Sequence, residues 1–134
     1  PMSAEESKKI VLGFIEDLSH GNMDGVTAAF ADDVTWWLPG SLPVAGTYTG
    51  KKEVLEGFFG KALPYFEPNS MSIQVQSAIA EDNAVAVEWI AKGKSAKGKT
   101  YENYYHVRFD LKDKKIQAVR EYVDTLYAKD VLFS

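Results

Sequence analysis

Residues 99–125 read KTYENYYHVRFDLKDKKIQAVREYVDT, the longest stretch of the chain with a strand period. Side chains on a strand alternate between two faces. From Tyr101, one face carries Tyr101, Asn103, Tyr105, Val107 and Phe109, apolar or aromatic except for one amide. The other carries Glu102, Tyr104, His106, Arg108 and Asp110, so it is wet or covered by another subunit. Residues 110–114 form a polar turn. The return strand divides into Gln117, Val119, Glu121 and Val123 on one side and Ile116, Ala118, Arg120, Tyr122 and Asp124 on the other. Alternation leaves the inner side of this strand open. If Val119 and Val123 point inward, Glu121 does too, and a carboxylate between two valines is costly to desolvate unless paired or protonated. In the other reading Glu121 is exposed, or ion-paired with Arg120 or Lys115.

A chain of 134 residues, 46% hydrophobic and 25% charged, fits one globular domain over residues 1–134 with a real core. The net charge of −4 and the pI near 5.2 argue against nucleic acid as a partner. The basic run Lys92, Lys94, Lys97, Lys99 lies among Gly and Ser and reads as a solvated hairpin tip. With no cysteine there is neither a disulfide framework nor a thiol nucleophile, which fits a reducing, cytoplasmic setting. No apolar run approaches the roughly 18 residues of a membrane span, and no signal-peptide pattern precedes the domain. Membrane association is therefore not expected. Pro1 before Met2 reads as a cloning remnant and is set aside.

Earlier in the chain the period is helical. Ser3 with Glu6 three positions on forms a capping-box pattern, followed by the stripe Ile10, Val11, Phe14, Ile15, Leu18. Gly21 ends that helix. Asn22 or Asp24 starts a short second one with Val26, Ala29 and Phe30 facing in. Asp32-Asp33 reads as a turn, residues 34–38 as a short strand, and residues 39–43 as an irregular loop. A third helix opens at Thr49-Gly50, buries Val54, Leu55, Phe58 and Phe59, and ends at Pro64. Met71, Ile73, Val75, Ser77 and Ile79 then share one strand face, residues 81–83 turn, and Val85, Val87, Trp89 and Ala91 share the next. The tail Val131, Leu132, Phe133 packs against the domain. Helices first and an antiparallel meander afterwards predict an α+β fold, a curved sheet wrapped around three N-terminal helices with a ligand-holding mouth.

Three segments carry a family resemblance: HGNMDGVTAAFADDVTW (20–36), LPGSLPVAGTYTGKKEVLEGFF (38–59) and KIQAVREYVDT (115–125). The chain resembles the NTF2-like superfamily, in its SnoaL-like, ketosteroid-isomerase-related branch, over essentially the whole domain. The resemblance implies an α+β cone, an apolar cone-shaped pocket and a homodimer. That fold hosts isomerases, cyclases, hydrolases, dehydratases and plain binders, so fold alone does not give function. Ketosteroid isomerases use a carboxylate base and an oxyanion hole of a tyrosine and a protonated aspartic acid. Aligned through FADDVTWWLPGSLPVAG and HVRF, those positions fall here on Leu38, Phe14 and Tyr105. Leucine and phenylalanine cannot move a proton, so steroid isomerisation by that mechanism is not expected. The same alignment makes Val87, Trp89, Val119 and Glu121 face the pocket, which favours the inward reading of Glu121. Limonene epoxide hydrolases place an acid in the stretch matching Arg120-Glu121-Tyr122, but their companion Arg-x-Asp is replaced by Val87-Glu88-Trp89.

If inward, Glu121 has a raised pKa and can serve as a general acid or base near neutral pH. Tyr105 can donate its hydroxyl to a developing oxyanion, and Asn103 can orient a carbonyl or the carboxylate. The bland alternative is a buried Glu-Tyr-Asn network that satisfies only itself. The expected ligand-binding residues are Phe14, Trp36, Leu38, Val87, Trp89 and Val119, with Trp36 inward and Trp37 outward. Asp124 opposes Glu121 and reads as a strand end or interface residue. His106 lies on the outer face, and His20 ends a helix, a favourable place for a cation. With neither a His-x-x-x-His nor an Asp-x-Asp array, no metal and no cofactor are expected. The resulting expectation is a SnoaL-like isomerase or lyase acting on a small hydrophobic carbonyl compound. The alternative is a non-catalytic small-ligand-binding or dimerising module.

Overall fold

The structure, a computed structural model, describes residues 2–134; Pro1 lies outside them. Helix α1 (Ala4–Ser19) starts at the expected capping box: Ser3 Oγ accepts from Glu6 N at 3.1 Å, and Glu6 Oε1 accepts from Ser3 N at 3.4 Å. Val11, Phe14 and Ile15 form its buried stripe. Gly21, at φ 72°, takes the left-handed conformation that releases the chain from the helix. Asn22 then caps α2 (Met23–Ala29) by accepting from Gly25 N at 3.3 Å.

Strand β1 (Phe30–Leu38) starts earlier than the sequence suggests. Phe30 belongs to it rather than to α2, and Asp32-Asp33 lies within it rather than in a turn. A register shift between Phe30 and Thr35 lets the chain keep Phe30 and Val34 buried while both aspartates reach solvent. After the loop, Gly46–Thr49 forms a further short strand, β2, paired antiparallel to β1 with Trp36 opposite Tyr48.

The third helical region is not a plain α-helix. Glu53–Phe59 is wound as a π-helix, followed by a short α-helical turn, α3 (Gly60–Ala62), and a 3-10 turn, Leu63–Tyr65. Pro64 sits inside that last turn, where its missing N–H is tolerated. The π winding turns both Phe58 and Phe59 onto Trp36, with ring centroids 5.3 and 5.1 Å away.

Strands β3 (Ser72–Glu81), β4 (Ala84–Lys94), β5 (Thr100–Lys112) and β6 (Lys115–Val123) complete a six-stranded sheet of order β2-β1-β6-β5-β4-β3. The architecture is the expected α+β cone, with one ladder departing from an all-antiparallel sheet: β1 runs parallel to β6. That pairing joins the helical half of the chain to the end of the meander. Bulges bend the sheet and also shift the alternation. One between Val75 and Ser77 breaks the expected apolar face of β3, so Ala78 and Ala80 pack on the core while Ile79 is 70% exposed. Another at Asp110/Leu111 moves Ile116 inward beside Val119 and Glu121.

Helix α1 packs against β3 and β4, and the π-helix packs against β2 and β1. Between them lies one aromatic-rich cluster built on Phe14, Phe30, Trp36, Phe109 and Trp89. The tail is a helix, α4 (Thr125–Leu132), capped by Asp124, whose carboxylate accepts from Tyr127 N at 3.1 Å. Phe133 beyond it packs on Tyr65 at 4.4 Å.

Candidate functional site

Glu121 points into the cone. It lies on β6 opposite Val107 of β5 and is 8% exposed. Its Oε1 accepts from Trp36 Nε1–H at 3.0 Å, the one protein donor on this carboxylate among the described residues. Arg120 and Lys115 do not pair with it. The Arg120 guanidinium lies 5.0 Å over the Trp37 ring on the outer face, and Lys115 Nζ donates to Ala28 O at 2.6 Å. Burial pushes the Glu121 carboxyl up to about 7, and the Trp36 hydrogen bond opposes that rise.

Tyr101, Asn103 and Tyr105 project from the same face of β5 and share a second polar cluster. The Tyr101 and Tyr105 hydroxyls are 2.7 Å apart. Asn103 Nδ2 donates to Tyr101 Oη and to Asp124 O, both at 3.0 Å, and its Oδ1 accepts from Tyr104 N at 2.9 Å. Burial raises Tyr101 to about 12 and holds Tyr105 well above the usual phenol range; charge on Glu121 disfavours both phenolates further. Trp89 stacks on Tyr105 at 5.7 Å. Glu121 is therefore coupled to the tyrosines by charge and burial, while its hydrogen bond goes to Trp36.

Phe14, Trp36, Leu38, Val87, Trp89 and Val119 are all buried in the main hydrophobic cluster. Around Glu121 they supply an apolar, water-poor setting. The open space lies elsewhere: a cavity of about 910 Å³ opens at the cone mouth, lined by Leu18, Met23, Leu55, Phe59, Phe66 and Met71 among others. None of the nine residues singled out in the sequence lines it. Two rings separate it from the polar clusters. Phe59 stands against Trp36, and Phe66 meets Tyr101 edge-on at 5.1 Å. Sequence reasoning missed the mouth because its lining comes from segments far apart in the chain, none of which forms a local motif. It also assigned no role to Tyr101. The spacing Tyr101, Asn103, Tyr105 on one strand face was the available signal.

Trp37 and Tyr122 meet edge-on on the outer face at 5.4 Å, and His106 lies there between Glu88 and Tyr122 in the ladder. His20 caps α1, its Nδ1 2.9 Å from Glu16 O. Among the described residues, no three His, Cys, Asp or Glu side chains cluster as a metal set, and no helix is long and apolar enough to cross a membrane.

The helices and the curved six-stranded sheet define the class as an α+β cone. A family profile described as the SnoaL-like domain matches residues 11–119, and the chain belongs to that family. Among solved structures it is similar to an NTF2-like protein from Burkholderia xenovorans LB400, at 27% identity over 98% of this chain and 99% of that one, with a TM-score of 0.79. TerC, crystallised with polyporic acid, shares the fold at 17% identity over 96% and 99% of the two chains, TM-score 0.85. So does a putative SnoaL-like polyketide cyclase from Jannaschia sp. CCS1, at 14% identity over 96% and 92%, TM-score 0.82. No curated protein matches the chain in sequence.

Proposed function

We propose that the protein is a SnoaL-like enzyme that performs general acid/base chemistry, of isomerase or lyase type, on a small hydrophobic carbonyl compound. The observation that carries this reading is Glu121: a buried carboxyl poised near neutrality, with one oxygen held by Trp36 and, among the described residues, no protein donor on the other. The carboxylate takes a proton from the carbon next to the ligand carbonyl. Tyr105 donates a hydrogen bond to the enolate oxygen that develops. The protonated Glu121 then returns the proton at another carbon, or the enolate electrons form a C=C bond as the C–X bond breaks and the β-leaving group takes the proton from Glu121. Asn103 orients the tyrosines. Phe14, Trp36, Leu38, Val87, Trp89 and Val119 form the apolar wall that the bound compound meets once Phe59 and Phe66 turn aside from the mouth. The pairing of TerC with polyporic acid and the name of the Jannaschia protein agree with an organic small molecule as the ligand. Leucine at position 38 and phenylalanine at position 14 set it apart from true steroid isomerases.

Carboxyl-carbon NMR of Glu121 tests the reading. A titration midpoint near 7, with turnover of a carbonyl compound lost in Glu121→Gln and kept in Asp124→Asn, is the expected result. A midpoint near the ordinary value of 4.5 overturns it. A second reading, a non-catalytic binder, draws on the closed Tyr101-Asn103 hydrogen bonds and on a cavity that stops at Phe59. Ligand binding without turnover would select it.

We also propose a homodimer, with a second copy covering the outer sheet face. There Tyr104 is 62% exposed and Tyr122 and Trp37 form an aromatic patch. Arg108, Arg120, Glu88 and Glu102 give the face charges of both signs, which a two-fold related copy can complement. Sedimentation should show a dimer for the native chain and a monomer for Tyr104→Asp.

A further inference from the structure

We propose that Tyr101 is a positioning residue: with Asn103 it forms a one-way hydrogen-bond relay that leaves the Tyr105 O–H as a free donor inside the cone. This deepens the function proposed above and rests on that reading for the ligand, a carbonyl oxygen that becomes an enolate. The direction of the relay itself follows from the hydrogen-bond partners.

The Asn103 amide can sit only one way round. Its Oδ1 faces the Tyr104 N–H, a donor, and its Nδ2 faces Asp124 O, an acceptor. A flipped amide would set donor against donor and acceptor against acceptor. The second Nδ2 proton therefore goes to Tyr101 Oη. Tyr101 is 1% exposed and enclosed by the rings of Phe66 and Tyr127. Among the described residues, Tyr105 Oη is the one acceptor within reach of its proton. Sending that proton anywhere else would leave a buried hydroxyl unsatisfied, with the desolvation of the group uncompensated. So Tyr101 donates to Tyr105. The 2.7 Å line between the two oxygens then already holds a proton, and among the described residues the Tyr105 proton has no acceptor left.

A hydroxyl that accepts one hydrogen bond becomes a stronger donor through the other side. The chain Asn103 to Tyr101 to Tyr105 thus ends in a polarised donor whose natural acceptor is a ligand oxygen gaining negative charge. Because the proton is fixed on that side, Tyr105 serves as the electrophile and leaves the role of base to Glu121.

Hydroxyl-proton NMR of the tyrosine-labelled protein, in the cold, reads the direction without any substitution. The Tyr101 hydroxyl proton should appear as a slowly exchanging resonance with a cross-peak to the Asn103 side-chain amide, while the Tyr105 proton exchanges rapidly with water. A protected Tyr105 proton with an exchanging Tyr101 proton would reverse the relay and overturn the proposal. A second readout uses 4-nitrophenolate as the oxyanion probe. Tyr101→Phe should weaken it roughly two- to tenfold, and Tyr105→Phe should weaken it more. An unchanged affinity in Tyr101→Phe with a loss in Tyr105→Phe overturns the relay and leaves the enzyme reading standing. A native chain that does not bind the probe counts against that enzyme reading, and the hydroxyl protons then decide the relay alone.

Discussion

Trp36 Nε1–H donates to Glu121 Oε1 at 3.0 Å, tying β1 to β6 across the one parallel ladder of the sheet. The two residues are 85 positions apart, and the bond places an indole donor on a carboxyl that burial would otherwise push still higher.

Glu121 makes stability depend on pH with a defined sign. Its folded-state pKa is raised, to about 7 from the usual 4.5, so the folded chain holds this proton more tightly than the unfolded chain. The corresponding stabilisation is complete below about pH 4.5 and is lost as the pH rises through 7. The whole swing is on the order of 3 kcal/mol. Glu121→Gln should flatten this part of the profile and be the more stable protein at pH 8, by about 1–3 kcal/mol. Urea unfolding of both proteins at pH 5 and pH 8 measures it; equal slopes for the two would rule out a buried, titrating Glu121.

Trp36→Phe removes the donor while keeping an aromatic ring in the cluster. The Glu121 midpoint should then move above about 7, because the bond that lowers it is gone. The loss of stability should be greater at pH 8.5 than at pH 5, since an N–H is worth about 1.5–3 kcal/mol to a charged acceptor and less to a neutral one. Carboxyl-carbon NMR and unfolding at the two pH values check both effects. A midpoint that falls would mean that water, not packing, takes the place of the indole.

Most of the core faces were legible because they rest on period, whereas alternation left the direction of Glu121 open and only the family resemblance turned it inward. Tyr101 to Phe109, Val85 to Ala91 and the α1 stripe keep an unbroken alternation, and each buries the face it shows. Reading failed where a bulge or an unusual winding resets the count. Ile79 and Ile116 changed sides at bulges, and Phe58 and Phe59 lie on a π-helix that a 3.6-residue pattern cannot distinguish from an ordinary one. Parallel pairing of β1 with β6 depends on where distant strands meet, which local alternation does not record. At the site, Glu121 could be flagged as an awkward carboxylate, yet its partner could not. Alternation turns Trp36 inward, but only the fold brings its N–H to Oε1.

Gly93 holds the mouth in place. A Cβ there would lie 3.1 Å from Met71 Cα and 3.3 Å from Ser70 O, both backbone atoms that cannot rotate away. The adjacent segment lines the mouth cavity through Glu67, Pro68, Asn69 and Met71. Gly93→Ala should therefore destabilise by about 1–3 kcal/mol and alter the affinity of apolar ligands at the mouth. Gly98→Ala, where a Cβ meets nothing within 4 Å, should leave ligand affinity unchanged despite its strained φ of 84°. Thermal unfolding and a fluorescent apolar probe separate the two effects. Equal ligand affinity in Gly93→Ala and the native chain would show that this segment does not shape the mouth.

Phe59 is the wall between the mouth cavity and the buried acid. Its ring lies 5.1 Å from Trp36 and 5.3 Å from Phe58, and it also lines the cavity. Truncation to alanine should cost about 3–5 kcal/mol and join the cavity to the space beside Trp36. Water admitted there would stabilise the carboxylate, so the Glu121 midpoint should fall from about 7 toward its ordinary value. The pH dependence of stability should shrink with it, because the gap between folded and unfolded pKa is what generates it. Phe59→Leu, which keeps most of the apolar bulk, should retain most of both effects. NMR titration of Glu121 in the two variants reads the result directly. A midpoint that stays near 7 in Phe59→Ala would show that the acid is sealed by Trp36 and Phe58 alone, and that a ligand entering at the mouth must displace those rings as well.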